Sequence, residues 1–352
     1  MTMVDMSAAG DAATTAADAA AVQPTPARTV AEILDRLDSG RHERRVRPTR
    51  PFPTGFDPLD RVLEGGLRPH DLTLVGGTPG VGKTIATLQW ARNIAAQRRT
   101  AIYVCYEHDE SDLLARLLSL ELSEVASAKD TPALDQLRQA VREVANGQRS
   151  VGDVGDGAPL LAAAQQRMAA YADWLWLVRG SGRHTGVPEL EQLIEDHGAG
   201  DTVLFVDYLQ KIAMRPDPLT EAEKVTRVSE ELKDLALNHG IAVVSVVAAD
   251  QAGIESRRLR LHHLRGSSAL AYESDVIILL NDKFQVVSKV HLAYDPVRAD
   301  TFRHYAVFTI EKNRGGPALV DLEFRKDFAS FRFDPLGGYV AERLVDERLF
   351  AE

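Results

Sequence analysis

The sequence predicts an α/β protein: a mainly parallel, twisted sheet with helices on both faces and an antiparallel hairpin added near the C-terminus. Three observations carry that expectation. From Thr54 onward, short apolar runs alternate with stretches of helical periodicity, as they do where strands run parallel and helices make the return crossings. A Gly-rich segment, Gly77 to Thr84, stands directly after one apolar run and directly before a helical stretch. Near the end, Tyr305 to Glu311 and Ala318 to Phe324 flank Asn313, Arg314, Gly315 and Gly316 as two strands flank a turn.

Taken in order, residues 1–28 are mostly Ala, Thr, Asp and Gly with two prolines, too poor in large apolar residues to offset ordering entropy, and are expected to form a disordered tail. Residues 29–53 read as a linker helix and a basic connector. Thr29 stands three residues before Glu32 in a capping-box arrangement, Val30, Ile33, Leu34 and Leu37 form one apolar stripe, and Gly40 ends the segment. Arg41, Arg44, Arg45, Arg47 and Arg50 follow, interrupted by Pro48, Pro51 and Pro53. The helix has no obvious neighbour in the chain, so its stripe either caps its own domain or seeks another surface.

Residues 54–336 form the main domain. Strands are expected at Leu72 to Val75, Ile102 to Tyr106, Val203 to Val206, Ile241 to Val247 and Val276 to Leu280, with helices from Lys83, after Asp109, and from the capping box Thr220/Glu223 to Gly240. Residues 125–175 hold two helical stretches around a Gly- and Asp-rich connector, an insertion or lid at the sheet edge, and residues 337–352 read as a C-terminal extension.

At 352 residues and 45% hydrophobic content, the chain has ample material for a packed core. One cysteine, Cys105, excludes an internal disulfide and a multi-cysteine zinc site. With no secretory leader pattern and no run long enough to span a bilayer, the expectation is a cytoplasmic protein with no membrane role of its own. A net charge of -10 argues against a surface that coats nucleic acid everywhere, and leaves room for a local basic channel.

Gly77, Thr78, Pro79, Gly80, Val81, Gly82, Lys83 and Thr84 match G-x-x-x-x-G-K-[ST] in the strand-to-helix context the motif requires. Glycines let main-chain N–H groups close on phosphate oxygens, and the helix N-terminus adds favourable partial charge. Lys83 is expected to reach the β and γ phosphates, and the Thr84 hydroxyl to bind Mg²⁺. Asp207 ends a strand of four apolar residues at the carboxyl edge where nucleotides bind in open α/β sheets. Alone it would read as a turn residue; beside the phosphate loop it reads as the Mg²⁺ carboxylate. Glu107 also ends an apolar strand, either to orient and deprotonate an attacking water or merely to pair with a surface cation.

These motifs resemble, in order, the RecA-like ATPase domain of DnaB-type replicative hexameric helicases. Thr54-Gly55-Phe56 with Leu59-Asp60, Gly65-Gly66-Leu67, Asp71-Leu72 and the phosphate loop look like its opening. Tyr106-Glu107-His108 followed by Leu113, Leu114, Arg116 and Leu117 resembles its next motif, in which the glutamate is catalytic. Asp207-Tyr208-Leu209-Gln210 is similar to its Walker B sequence, Leu264-Arg265 through Ser274-Asp275 to its DNA-contacting loop, and Lys312, Asn313, Arg314, Gly315 and Pro317 to its trans-acting segment. The resemblance covers about residues 29–334.

It implies an ATP- and Mg²⁺-dependent DNA helicase or translocase working as a homo-hexameric ring on single-stranded DNA, with a loader or a replication or repair partner. Arg314, which by itself reads as a solvated turn cation, becomes an arginine finger for a neighbouring subunit, with Lys312 beside it. The linker helix then docks on the adjacent subunit. Arg265, Gly266 and Ser268 are implied to contact the strand. Arg257, Arg258 and Arg260 lie where the family places channel loops, though a charge run is also what a solvated face looks like. His108, His262 and His263 lack metal-ligand spacing, and Cys105 and the tryptophans read as packing residues.

The chain departs from the family at three places. Nothing before Thr29 resembles its large N-terminal domain. Ala248 stands where a polar phosphate sensor is usual, with Asp250 and Gln251 just beyond, and Gly266 replaces the glutamate of the DNA loop. An ATP-switched assembly or regulatory module, or a RadA- or RecA-like filament ATPase, therefore stands as the alternative.

Overall fold

A computed structural model describes residues 29–32, 34–35, 50–127, 131–198, 201–216, 220–266, 268–288 and 296–345. The chain divides into two units, residues 1–48 and 49–352. In the first, the capping box is formed: Thr29 Oγ1 accepts from Glu32 N at 3.2 Å, and Thr29 N donates to Glu32 Oε2 at 2.7 Å. The expected tail 1–28, the rest of the linker stripe (Ile33, Leu37) and Arg41 to Arg47 lie outside the described residues.

The second unit is built on a ten-stranded sheet. Its strands are β1 (Leu72–Gly77), β2 (Thr100–Cys105), β3 (Leu175–Arg179), β4 (Thr202–Asp207), β5 (Ala242–Ala248), β6 (Val276–Asp282), β7 (Tyr305–Asn313), β8 (Val320–Asp327), β9 (Arg332–Phe333) and β10 (Gly338–Tyr339). They lie in the order β10-β8-β7-β6-β1-β5-β4-β2-β3, with β9 on β8. From β6 to β3 every pairing is parallel, and β7, β8, β9 and β10 are antiparallel. The expected hairpin is thus present. Residues 338–339, read from sequence as part of an extension, instead pair with β8.

β1, β2 and β4 are buried at all six positions each, which is why they read as unbroken apolar runs rather than alternating ones. One face of the sheet packs Phe56, Trp90, Phe308 and Phe324; the other packs Ile194, Val228, Leu232 and Leu264. The main helices are α1 (Asp57–Val62), α2 (Lys83–Ala96), α3 (Glu110–Val125), α4 (Thr131–Ala145), α5 (Ala158–Ala169), α6 (Val187–His197) and α7 (Glu221–His239). Thr220 caps α7 by accepting from Glu223 N, and Gly240 ends it in the left-handed region at φ 63°.

Residues 125–175 carry α4 and α5, which share with α3 a separate small core around Leu118, Leu137 and Leu161. Leu175, the last residue of that stretch, begins β3, an edge strand that was not among those expected. Fully buried Glu121 on α3 ties this layer to α2, bonding Arg92 Nε at 2.6 Å and Arg167 Nε at 2.9 Å. Burial works to raise the Glu121 pKa, but the two guanidiniums outweigh it and hold the carboxyl below its ordinary value.

Candidate functional site

The phosphate-loop motif forms the turn from β1 into α2. Gly80 and Gly82 sit at φ 79° and 103°, where a side chain is strained. Gly82 is restricted twice, because a Cβ there would stand 2.7 Å from Phe328 Cζ and 2.8 Å from Phe333 Cζ. Two rings from the far end of the chain therefore back the N-terminus of α2, whose first turn carries no acidic residue to compete for its N–H groups.

Lys83 Nζ lies over the loop, donating to Gly77 O at 2.8 Å and Thr78 O at 3.0 Å. Burial lowers its pKa, against the pull of Asp207 and Glu107. Thr84 Oγ1 donates to Asp207 Oδ2 at 2.6 Å, and Tyr103 OH donates to the same oxygen at 3.2 Å. Asp207 is 2% exposed. Burial raises its pKa and Glu107 raises it further, while the Thr84 and Tyr103 hydroxyls oppose them. Lys83, Thr84, Glu107, Asp207 and Ala248 line one cleft of about 400 Å³.

That donor set fits a magnesium nucleotide. A hydroxyl and a buried carboxylate converge on one point, the hard-oxygen chemistry Mg²⁺ takes, beside a glycine loop and an ammonium suited to phosphate. Gly80 has open space where its Cβ would be, and Gly77 does not: a Cβ there would stand 2.6 Å from Val81 Cγ1.

Arg116 is a lining residue that the sequence reading left without a role. It reaches the cleft from α3, with Nη2 2.8 Å from His108 Nε2 and its guanidinium 5.2 Å from the Phe331 ring centroid. It also borders an adjoining cleft of about 360 Å³ with Asp112, Arg142, Phe328 and Phe331. The available signal was its place about two turns into a helix that starts just beyond Glu107 and is opened by the cap Asp109, which accepts from Asp112 N.

Lys312 and Arg314 are not brought to this cleft in the same chain. Asn313 pairs with Val276 at the start of β6, whereas Gly77 pairs with Leu280. The hairpin tip therefore sits at the opposite edge of the sheet, about 13 Å away along the strands alone. There Lys312 Nζ donates to Ala271 O and Ser274 O, and Arg314 donates to Tyr272 O and pairs with Asp275 at 3.4 Å while half its side chain stays exposed.

The basic stretch divides. Arg257 and Arg265 are exposed, the latter pairing with Glu221 at 2.8 Å, and Gly266 and Ser268 are also on the surface. Arg258 and Arg260 depart from expectation: they are 6% and 8% exposed, committed to Asp321 at 2.6 Å and Glu311 at 3.2 Å. A buried arginine without its carboxylate would leave an uncompensated charge, so these two hold the hairpin rather than face a strand. Gly266 is also less free than a glycine loop suggests. At φ 128° it packs on α7, and a Cβ would stand 2.5 Å from Val225 Cγ2.

Among the described residues, no helix is long and apolar enough to cross a membrane. The family model of the DnaB-like helicase C-terminal domain matches residues 52–159 and 189–333. The chain is 28% identical over 281 residues to a protein named replicative DNA helicase DnaB of Treponema pallidum (strain Nichols), covering 79% of this chain and 55% of that protein. It is 47% identical over 68 residues, 19% of this chain and 14% of the relative, to a DNA repair protein RadA of Mycobacterium tuberculosis (strain CDC 1551 / Oshkosh). The chain thus spans about half the length of the DnaB relative. The solved ATPase domain of G40P superposes with a TM-score of 0.67 at 18% identity, covering 88% of this chain and 99% of that one. A structure of a DnaB-like replicative helicase described with its primase interactions gives 0.64 at 18% identity, covering 88% and 67%. With the family model matched over more than half its length, and with the RecA-type sheet and phosphate loop in place, this chain belongs to the DnaB-like helicase C-terminal domain family.

Proposed function

We propose that this protein hydrolyses ATP as a ring-forming homo-oligomer and uses the turnover to move along or remodel single-stranded DNA. The observation that carries the reading is the separation of its parts. Phosphate loop, Thr84, Asp207 and Glu107 share one cleft, while the only cations of the trans-acting motif, Lys312 and Arg314, stand at the opposite sheet edge. Such an arrangement is useless to one chain and complete where two chains meet.

In this reading the loop N–H groups and Lys83 hold the phosphates, and Thr84 and Asp207 hold Mg²⁺. The ion, when bound, neutralises charge on the phosphate oxygens. Glu107, exposed at the cleft wall, orients the attacking water and takes its proton. Arg314 from the neighbouring subunit meets the charge that develops on the transferred group, an interaction worth about 10³ to 10⁵ in rate. Arg257, Arg265, Gly266 and Ser268 are the surface residues left to track a DNA backbone. The reading extends to a loader or a replication or repair partner.

The test is ATP turnover with and without oligo(dT), beside the mass in solution. Stimulation together with a mass near six subunits is expected, as is DNA affinity that falls steeply with salt, with Arg265→Ala lowering the salt slope by about 1. A monomer that turns over unaided sinks the shared site; an ATPase ring without ATP-dependent DNA binding favours the second reading. That reading is an ATP-switched assembly or regulatory module. Its support is specific: Ala248 at the end of β5, and Arg258 and Arg260 consumed by internal ion pairs.

A further inference from the structure

Three residues beyond Asp207, in the short 3₁₀ turn Leu209–Lys211, the side-chain amide of Gln210 makes two bonds to two different segments. Its Oε1 accepts from Ala248 N at 3.3 Å, and its Nε2 donates to Arg265 O at 2.8 Å. Arg265 N in turn donates to Ala248 O at 2.9 Å, and Ala249 bridges Leu264. The primary amide thus stands in for a peptide group, closing a ring of hydrogen bonds between the end of β5 and the start of the loop at Arg265.

The two sides of this ring face different clefts. Ala248 lines the nucleotide cleft with Asp207 and Tyr208. Leu264, Gly266 and Ser268 line a second cleft of about 490 Å³. Both ends are held without slack: Asp207 O accepts from Tyr106 N at 2.8 Å, Gln210 O accepts from Lys224 Nζ at 2.9 Å, and Gly266 is seated on Val225 with no room for a side chain. Packed, hydrogen-bonded contacts of this kind pass a small displacement on rather than absorb it.

We propose that Gln210 is a positioning residue that couples nucleotide occupancy at Asp207 to the conformation of the loop at Leu264, Arg265 and Gly266. On the function proposed above, that loop is the strand-contacting element, and Gln210 then sets how far DNA stimulates turnover. The residue touches neither phosphate nor metal; it acts through Ala248 and Arg265.

Hydrogen exchange of Leu264, Arg265 and Gly266 in the full chain, with and without magnesium and a non-hydrolysable ATP analogue, tests the coupling directly. The wild type is expected to change its exchange on nucleotide addition. Gln210→Leu, which removes both bonds, is expected to bind the analogue and lose that change. Gln210→Glu keeps an acceptor for Ala248 N and cannot donate to Arg265 O, so it loses the change with a smaller structural perturbation, and serves if the leucine variant folds poorly. With oligo(dT), the fold-stimulation of turnover is expected to drop to about one in both variants. Retention of the exchange response in both variants, or its absence in the wild type, overturns the proposal. An exchange response that depends on Gln210 in a protein that never binds oligo(dT) supports the coupling and removes the DNA reading instead.

Discussion

The two edges of the parallel sheet are built on opposite principles. At the carboxyl edge, backbone geometry does most of the work: glycines in the left-handed region, a helix N-terminus, and one carboxylate so buried that its pKa rises. At the amino edge, side chains do it. Asp275 accepts from Leu72 N at 2.8 Å and Lys233 Nζ at 2.7 Å, and pairs with Arg314, while burial and then Asp275 push the Asp71 carboxyl up to about 6. The first edge is a formed pocket, and the second is a charged surface with a half-exposed arginine. On the proposed function the pocket and the cation meet only where one copy of the chain abuts the next, as in head-to-tail interfaces of ring-forming proteins.

Lys83→Ala is expected to lose tight binding of magnesium nucleotide and to drop turnover by at least about 10³-fold, since a buried phosphate would be left without its cation; a fluorescent-nucleotide titration and a steady-state assay read both. Full activity in that variant would remove the assignment of the cleft.

The next largest effect belongs to the other edge. Arg314→Ala is expected to bind nucleotide nearly as the wild type does and to lose about 10³ to 10⁵ in turnover. Mixing it with Glu107→Gln sharpens the point, because each variant supplies what the other lacks at some interfaces. Partial recovery in mixed oligomers is expected, and complete failure to recover would place Arg314 outside the shared site.

The smallest effect is a titration. A carboxyl whose folded pKa lies above its unfolded value of about 4 favours the fold only when protonated, so Asp71 penalises the folded state above about 6 and ceases to as pH falls. Asp71→Asn is therefore expected to raise the unfolding midpoint at pH 7, with the gain shrinking as pH falls through 6 toward 4. A gain that persists unchanged at pH 4 would assign the effect to something other than this charge.

Much of the carboxyl edge was legible in the residues. A phosphate loop is read by main-chain groups, so its requirement for glycines and a lysine at set spacing is written in consecutive positions, and the buried strands β1, β2 and β4 announce themselves as apolar runs. β3 was missed although Leu175-Trp176-Leu177-Val178 is an apolar run too; it follows directly on a helical stretch and is a half-covered edge strand, with Trp176 and Arg179 exposed. Arg116 was hidden for another reason, since it enters the cleft from a helix whose direction is set by packing against α5. Arg258 and Arg260 misled because a cation looks the same in sequence whether it meets solvent or turns inward to a half-buried Asp321 or a buried Glu311.

By itself, then, the sequence determined the local conformations: the phosphate-loop turn, the capping of α7 by Thr220, the alternation of strand and helix, and the hairpin around Asn313. These follow from neighbours a few residues apart. Only the tertiary structure decided which charges face water, which edge each cation occupies, and that one glutamine amide spans the wall between two clefts. Such outcomes depend on contacts between segments far apart in the chain, 38 residues for Gln210 and Ala248 and 55 for Gln210 and Arg265, and no local pattern encodes the partner of a side chain at that range.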